Sequence, residues 1–576
     1  MEAANSQQTK FDLPGLNLPL NFRPKGGIFQ NALDHGEIQD IGTQKTLWEI
    51  RMMQIMNSIT DKPEWYEKVF NERIVKKWRE ELTASDVDLT SGMIDWIFEE
   101  LKYKSSPFQQ TGMVTAFDAD VVKSDSAIPE ELRLALMSAV RPLEEVPEEE
   151  KDYHPFSDEK VVDLVHPSLF PLVYGRSRML KDKITTLERF MEYPGKGDVV
   201  PIPPEKETRV DGFHRQLRDT PGRNPFSQRF QWLPCDVELN KDSNDCRIVS
   251  YINNLHPHKN GGLYDIIQQI ITRTIPLWNA TLTPVLDSLY FSNNRIEYTY
   301  VDCSRGNTPE PTQKRIFHSD GGSETDESDQ DDFWDRLRDW EHSRPVRPPG
   351  IGAFRPLIGD DKEKVDLQTA FKDTGLQVIV KLANIELTPE KPHYAGGSWH
   401  VEGQLNEHIC ATAIYYYSND NITTNTLCFR QRLNTTCMGS QIDLGGVSCP
   451  QGRLLTFPNI LQHRVSPFHL ADPTKPGHRK ILALFLVDPH IRITSTANVP
   501  PQREDWYEEA INVRRDVLGP RLPLELQNMV TEHLGDFPIS MEEAKELRLE
   551  LMKERSAVSD VRNELFSQGS FSLCEH

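Results

Sequence analysis

Apolar residues recur at intervals of three and four from about Leu47 to Arg189, the spacing that lines one face of a helix. In LWEIRMMQIMNSITDKPEWYEKVFNERIVKKWREEL this period predicts one helix from Leu47 and a second opened by Thr60-Asp61 and Pro63. Further helices are predicted over Asp95 to Leu101 and over Glu130 to Val140. A proline-containing irregular stretch follows from Pro194 to Arg229, and residues 1–45, rich in Pro, Gly and Asn, read as an irregular arm.

The pattern then shifts to short β segments. Phe230-Gln-Trp-Leu-Pro and Ile248-Val-Ser-Tyr-Ile are strand candidates, Leu263 to Leu277 is a helix, and Arg295-Ile-Glu-Tyr-Thr-Tyr-Val alternates as a strand does. Leu376 to Leu387 and several further segments up to about Val487 are also β. Within this part, residues 319–350 are acidic and Ser- and Gly-rich, then Pro-rich, and read as a surface insertion. From Trp506 the helical period returns, with Met541 to Asn563 the last good helix. The pattern predicts an α+β chain in four parts: an arm (1–45), a mainly helical region (46–229), a β core (230–500) and a helical tail (501–576). Many short strands with little helix between them suggest that the core is a closed barrel or jelly roll.

Composition narrows the function classes. The chain carries 65 Lys+Arg against 87 Asp+Glu, a formal net charge of -22. Such a field repels phosphate backbones and anionic lipid, so no nucleic-acid or membrane partner is expected. The longest apolar run, Ile481 to Val487, is far too short for a bilayer, and the first residues lack the basic-then-apolar plan of a secretory signal. An intracellular protein is the expectation. Its eight cysteines contain no CxxC pair, which removes support for zinc-ribbon and thioredoxin chemistry and leaves separate thiols.

Candidate chemistry gathers in Tyr394-Ala-Gly-Gly-Ser-Trp-His-Val-Glu, ahead of the apolar segment Ile409 to Tyr417. Ligands one residue apart on a strand point to the same side, so His400 and Glu402 can reach one metal ion. A His-x-acid pair is weak evidence alone, since roughly two or three arise by chance in a chain of this composition. His35/Glu37 and His318/Asp320 are such competitors, but neither precedes a β segment that would fix its geometry. Gly396-Gly397 permits a close backbone approach ahead of His400. A distal histidine on a late strand would complete a facial set with three open positions. His463 is the candidate, following a Gly turn, a strand and a Pro-Asn turn; His469, after Pro467 in a loop, is the alternative. His408, His478 and His490 read as solvent-facing or structural.

Arg479 enters a buried apolar strand, a costly position unless it meets an anion such as the far carboxylate of a dicarboxylate. Lys480 should point to the opposite face. Among Tyr415, Tyr416 and Tyr417, at least one hydroxyl can grip the same carboxylate.

The order HVE, TAIYYYS, GRLLTF, HRVSP and a later arginine resembles the double-stranded β-helix (jelly-roll) core of 2-oxoglutarate/Fe(II) oxygenases, in particular their prolyl-hydroxylase-like branch. The resemblance implies Fe(II) held by His400, Glu402 and His463 as the catalytic set, and 2-oxoglutarate held by Tyr416 and Arg479. It implies a dioxygenase that uses O2 to hydroxylate an organic substrate, releasing succinate and carbon dioxide. A JmjC-like protein hydroxylase or demethylase, a small-metabolite oxygenase and a non-catalytic β-barrel interaction protein are the alternatives. Over a wider span, including ITDKPEWYEKVF and STANVPPQREDW, the chain is similar to DUF4246, a fungal family of domains of unknown function. Two features depart from the oxygenase pattern: the acid is Glu rather than the commoner Asp, and the gap from His463 to Arg479 is longer, consistent with a loop over His469–Gly477.

Overall fold

The computed structural model describes residues 11–33, 45–85, 88–118, 120–208, 225–286, 294–296, 309–313, 315–317, 323–325, 327–343, 351–357, 363–432, 441–518 and 537–567. His35, Glu37, His318, Asp320 and most of the strand expected from Arg295 lie outside these residues.

Local chemistry sets the helix borders. Helix α1 (Leu47–Thr60) opens on a reciprocal cap in which Glu49 N–H donates to the Thr46 hydroxyl and Thr46 N–H donates to the Glu49 carboxylate. The expected second helix is two, α2 (Trp65–Lys68) and α3 (Glu72–Ala84). The break arises because the Asn71 side chain accepts from the N–H groups of Arg73 and Ile74 and starts a new N-terminus. Helix α4 (Ser91–Thr111) runs well beyond the expected Leu101 and stops at Gly112, whose left-handed φ of 68° suits a residue without a Cβ. Helices α5 (Glu130–Glu144) and α6 (Gly261–Leu282) extend the other two expected segments.

Fourteen strands carry the description. They are β1 (Val114–Phe117), β2 (Val121–Ser124), β3 (Val161–Val165), β4 (Cys235–Leu239), β5 (Cys246–Ile248), β6 (Leu376–Leu387) and β7 (His393–Tyr394), followed by β8 (Ile409–Asp420), β9 (Thr426–Arg432), β10 (Gln441–Ser448), β11 (Leu454–Pro458), β12 (Gln462–Val465), β13 (Phe468–His469) and β14 (Gly477–Val487). A large antiparallel sheet has the order β1-β2-β11-β8-β14-β6-β4-β5, with β3 also paired to β6. A second sheet has the order β10-β9-β12. Three strands of the large sheet therefore come from the region expected to be mainly helical. At four or five residues each they are too short to show a period of two.

Alternation splits the large sheet into two faces. Val378, Val380, Leu382, Leu482, Leu484 and Leu486 pack with Leu136 of α5 and with Ile267 and Ile271 of α6. Ile379, Ile414, Tyr416, Ala483 and Phe485 face the other way and share a core with Leu427, Phe429 and Val447 of the second sheet. The acidic stretch, expected as a surface insertion, holds helix α7 (Glu327–Ser343). Phe333, Leu337 and Trp340 keep a helical spacing there that the acidic composition hides. The tail forms α8 (Glu504–Leu518) and α9 (Met541–Ser567). Cys235, Cys246, Cys410, Cys428 and Cys449 are free thiols, and no helix among the described residues is long and apolar enough to cross a membrane.

Candidate metal centre

His400 lies between β7 and β8 and pairs across to His463 of β12. His400 N–H donates to His463 O at 3.2 Å and His463 N–H to His400 O at 2.9 Å, so the two residues stand directly opposite. Gly396 makes this approach possible: at φ 90° a Cβ would sit 2.8 Å from the Val465 carbonyl oxygen, while Gly397 N–H donates to that same oxygen at 3.0 Å. Two residues on, the Asn459 side chain clamps Glu402, accepting from its N–H at 3.0 Å and donating to its carbonyl at 3.1 Å. The N-terminal arm braces the clamp, with Ala32 N–H donating to Asn459 O at 3.0 Å.

These contacts bring the three side chains together, with one ligand atom from each lying within 4.8 Å of the others. Glu402 Oε1 is 3.7 Å from His400 Nε2 and 3.2 Å from His463 Nε2, and the ring centroids are 4.3 Å apart. His400 Nδ1 donates to the Ser398 carbonyl at 2.8 Å, which leaves the Nε2 lone pair directed at the shared space. Phe457 and Phe429 wall His463, whose ring centroid lies 4.6 Å and 6.4 Å from theirs. The His400 side chain keeps 39% of its accessible area. Burial works to lower the His400 pKa, but the hydrogen bond and charge of Glu402 win and raise it. Burial pushes Glu402 up and is outweighed by both histidines, which hold it well below the ordinary carboxylate range. For His463, burial and the His400 charge together lower the pKa. Two imidazoles and one ionised carboxylate within reach of one point form a donor set that fits a divalent first-row metal.

Arg479 and Tyr416 lie on the same inner face of the large sheet. The Arg479 guanidinium carbon stands 4.9 Å from the Tyr416 ring centroid, and Arg479 is 3% exposed. Neither Arg479 Nε nor the Tyr416 hydroxyl has a hydrogen-bond partner of normal geometry, and among the described residues no carboxylate reaches Arg479. Arg295, Arg453 and Arg548, buried as deeply, each meet an acid: Arg295 with Glu100 and Asp118, Arg453 with Asp125, Arg548 with Asp152. Lys480 points to the opposite face and holds Glu144 at 2.7 Å. Tyr415 and Tyr417 belong to that outer core too, leaving Tyr416 as the inward hydroxyl of the three.

The remaining histidines stand apart from this set. His469 is exposed on β13, beside His393. His478 meets the Ser418 hydroxyl at 2.8 Å and His490 meets Asp488 at 2.8 Å. His408 is buried against Phe226 rather than facing solvent.

A second cluster, His154, Asp163 and His166, escaped the sequence reading because its members straddle a turn and a strand end with no His-x-acid spacing. Part of its hydrogen bonding is met within the protein, while Asp163 Oδ1 is buried without a partner. His154 Nδ1 meets Asp163 at 2.8 Å, Arg548 reaches the same carboxylate at 3.4 Å, and His166 Nδ1 accepts from Ser168 N–H at 3.1 Å. That acceptor role puts the His166 proton on Nε2, so neither ring nitrogen offers a free lone pair.

Helix α9 lies along this side of the molecule. Asn563 Nδ2 and the Ser559 hydroxyl donate to the carbonyl of Trp399, the residue before His400, at 3.3 and 3.4 Å. One turn or two earlier, Arg555 pairs with the buried Glu407 at 2.8 Å and stacks 3.8 Å from the Trp232 ring.

No protein of curated function matches the chain in sequence. Among solved structures it is similar to IDO from Bacillus thuringiensis, at 12% identity over 20% of this chain and 47% of that one, TM-score 0.16. It is also similar to a bsmA homolog from Methylobium petroleophilum PM1 (13% identity, 21% and 44% covered, TM-score 0.15). A third is the Fe(II)/(alpha)ketoglutarate-dependent dioxygenase TqaL (15%, 26% and 50%, TM-score 0.13). The chain spans half or less of each of these proteins, and likeness at that level fixes neither fold nor function. Family models are decisive instead: residues 13–81 match the N-terminal domain of unknown function DUF4246 and residues 91–510 match the protein of unknown function DUF4246, so the chain belongs to the DUF4246 family.

Proposed function

We propose that this chain is a 2-oxoglutarate- and Fe(II)-dependent oxygenase built on a double-stranded β-helix, with His400, Glu402 and His463 as metal ligands and Arg479 and Tyr416 as the co-substrate grip. The observation that carries the reading is a pairing of two features. A two-histidine, one-carboxylate set is gathered at one point, and a buried arginine on the inner face of the large sheet has no acid at ion-pair distance among the described residues.

Bound Fe(II) and 2-oxoglutarate would allow O2 to oxidise a C–H bond, one oxygen atom entering the substrate and the other the succinate that is released with carbon dioxide. What the chain's residues contribute is position and protonation state. Glu402 is ionised far below neutral pH and offers its carboxylate without competition from protons. His463 is kept neutral by burial, and His400 must give up a proton as it ligates. Asn459 fixes the backbone at Glu402, and the Ser398 carbonyl fixes the tautomer of His400. Arg479 offers a planar fork to the far carboxylate of a dicarboxylic acid, and the Tyr416 hydroxyl, whose pKa burial raises well above the usual range, stays protonated as a donor.

The test is succinate formation from 2-oxoglutarate by purified protein with Fe(II), including slow turnover without added substrate. His463→Ala should abolish it and remove one equivalent of bound metal. Full turnover by His463→Ala would sink the assignment.

A further inference from the structure

We infer that the oxygenase site takes an anionic substrate, whose carboxylate or phosphate is held by Lys381. The inference rests on the functional reading above and names the class of substrate for that site.

Lys381 sits in the middle of β6, opposite Ala483 of β14. Its strand neighbours of the same parity include Ile379, which faces the second sheet, whereas Val380 and Leu382 pack on the helices. Alternation therefore turns the Lys381 side chain into the space between the sheets, where it is half-buried. Among the described residues it has neither a hydrogen bond nor a carboxylate at ion-pair distance, unlike the buried Lys123, which holds Asp61 at 2.6 Å, and Lys480, which holds Glu144. A cation withdrawn from water without an anion is costly, and a ligand's anionic group removes the cost.

Ile379, next to it on the same face, shares a core with Phe429 and Phe457, the walls of His463, and the Lys381 charge is felt at His400, Asp163 and His166. Asp163 is engaged through Oδ2 by His154 and Arg548 and stands outside ion-pair distance of Lys381. Lys381 pairs with Ala483 and Arg479 is four residues from that position, on the order of 13 Å along the strand, so the two cations enter the inner space at separate points. Two inward cations at that spacing serve two anions, the co-substrate at Arg479 and the substrate at Lys381.

The experiment is calorimetric titration of manganese-loaded, 2-oxoglutarate-saturated protein under nitrogen with hexanoate, hexyl phosphate and hexanamide. Either or both anions should bind about tenfold or more tightly than the amide, the scale of one charge-assisted hydrogen bond. A preference for one of the two names the group. Lys381→Met should erase the preference and leave 2-oxoglutarate affinity within twofold, and Lys381→Arg should retain most of it. Equal binding of anion and amide, or no binding of any of the three, overturns the proposal, as does a Lys381→Met variant that loses 2-oxoglutarate instead. If 2-oxoglutarate fails to bind the metal-loaded protein at all, the oxygenase reading fails; the anion–amide comparison, run without it, still decides Lys381.

Discussion

Proton competition at one nitrogen governs metal binding. His400 carries a raised pKa because Glu402 faces it, so below that value a proton occupies the site of ligation. Affinity for Fe(II) or Mn(II) should therefore climb as pH rises through and beyond the ordinary histidine range, then level off once His400 is neutral. Competition against a chelating dye, with proton release followed alongside, checks this; a profile flat across that range would contradict it. Linkage in the metal-free protein runs the other way. The His400–Glu402 pair stabilises below the His400 pKa and is lost as pH rises through it, while the depressed Glu402 pKa means its own contribution disappears only in strong acid. Arg479 makes a separate test. Arg479→Ala removes a charge-assisted contact worth about 1.5–3 kcal/mol, so the 2-oxoglutarate KM should rise roughly tenfold to a hundredfold with metal affinity unchanged. A shift in metal affinity without one in KM would place Arg479 elsewhere in the chemistry. At this scale the sequence was informative where chemistry is local: His-x-Glu ahead of an apolar strand, and an arginine inside an apolar run, each announce an energetic oddity, although His400 and Glu402 lie between strands rather than on one. It was silent on Lys381, because a single lysine in LQVIVKLANIEL reads the same facing water or facing a cavity until the strand's neighbours are known.

Elements show why the site holds its shape. The backbone pairing of His400 with His463 depends on Gly396 beneath it and on Asn459 beside it, and α9 adds a brace from the far end of the chain. Arg555 of that helix is the point to probe. Glu407 is fully buried, and burial raises its pKa against the pull of Arg555 and of the N–H groups of Trp232 and Gln404. Removing the arginine leaves that acid without its counter-charge, a loss of about 3–5 kcal/mol for a broken buried pair. Arg555→Met should thus lower stability by that order in urea unfolding, and Glu407→Gln in the same chain should restore part of it. Equal midpoints for Arg555→Met and the native chain would show that α9 contributes nothing at this contact. The long helices and Leu376–Leu387 were readable from periodicity, since many residues vote together. What periodicity missed were the Asn71 restart, a single side-chain cap, and the helix concealed in the acidic stretch, where charge outweighed a spaced set of aromatics.

The whole molecule does not divide where its sequence pattern does. A cut at 229/230 separates β2 from β11 and β3 from β6, leaving two ladders of the large sheet unpaired. It also strips Met52, Met53, Ile97, Phe98, Leu101 and Phe117 from one core and Leu132, Leu136 and Val140 from the other. At about 1.5–3 kcal/mol for each buried apolar side chain, these nine match or exceed the roughly 5–15 kcal/mol by which a folded domain is stable. Exposed ladder edges add a route to aggregation. A fragment beginning at residue 230 should therefore fail to fold alone although it contains His400, Glu402, His463 and Arg479, and the full chain should lose near- and far-ultraviolet circular dichroism in one coincident thermal transition. A soluble fragment with native-like spectra that binds one metal ion would show that the second sheet and the centre of the large one suffice. The physical reason to expect otherwise is that the second sheet, which carries His463, shares its core with the centre of the large sheet, whose strands β2 and β3 come from the first third of the chain, so the geometry of the centre is a property of the whole fold.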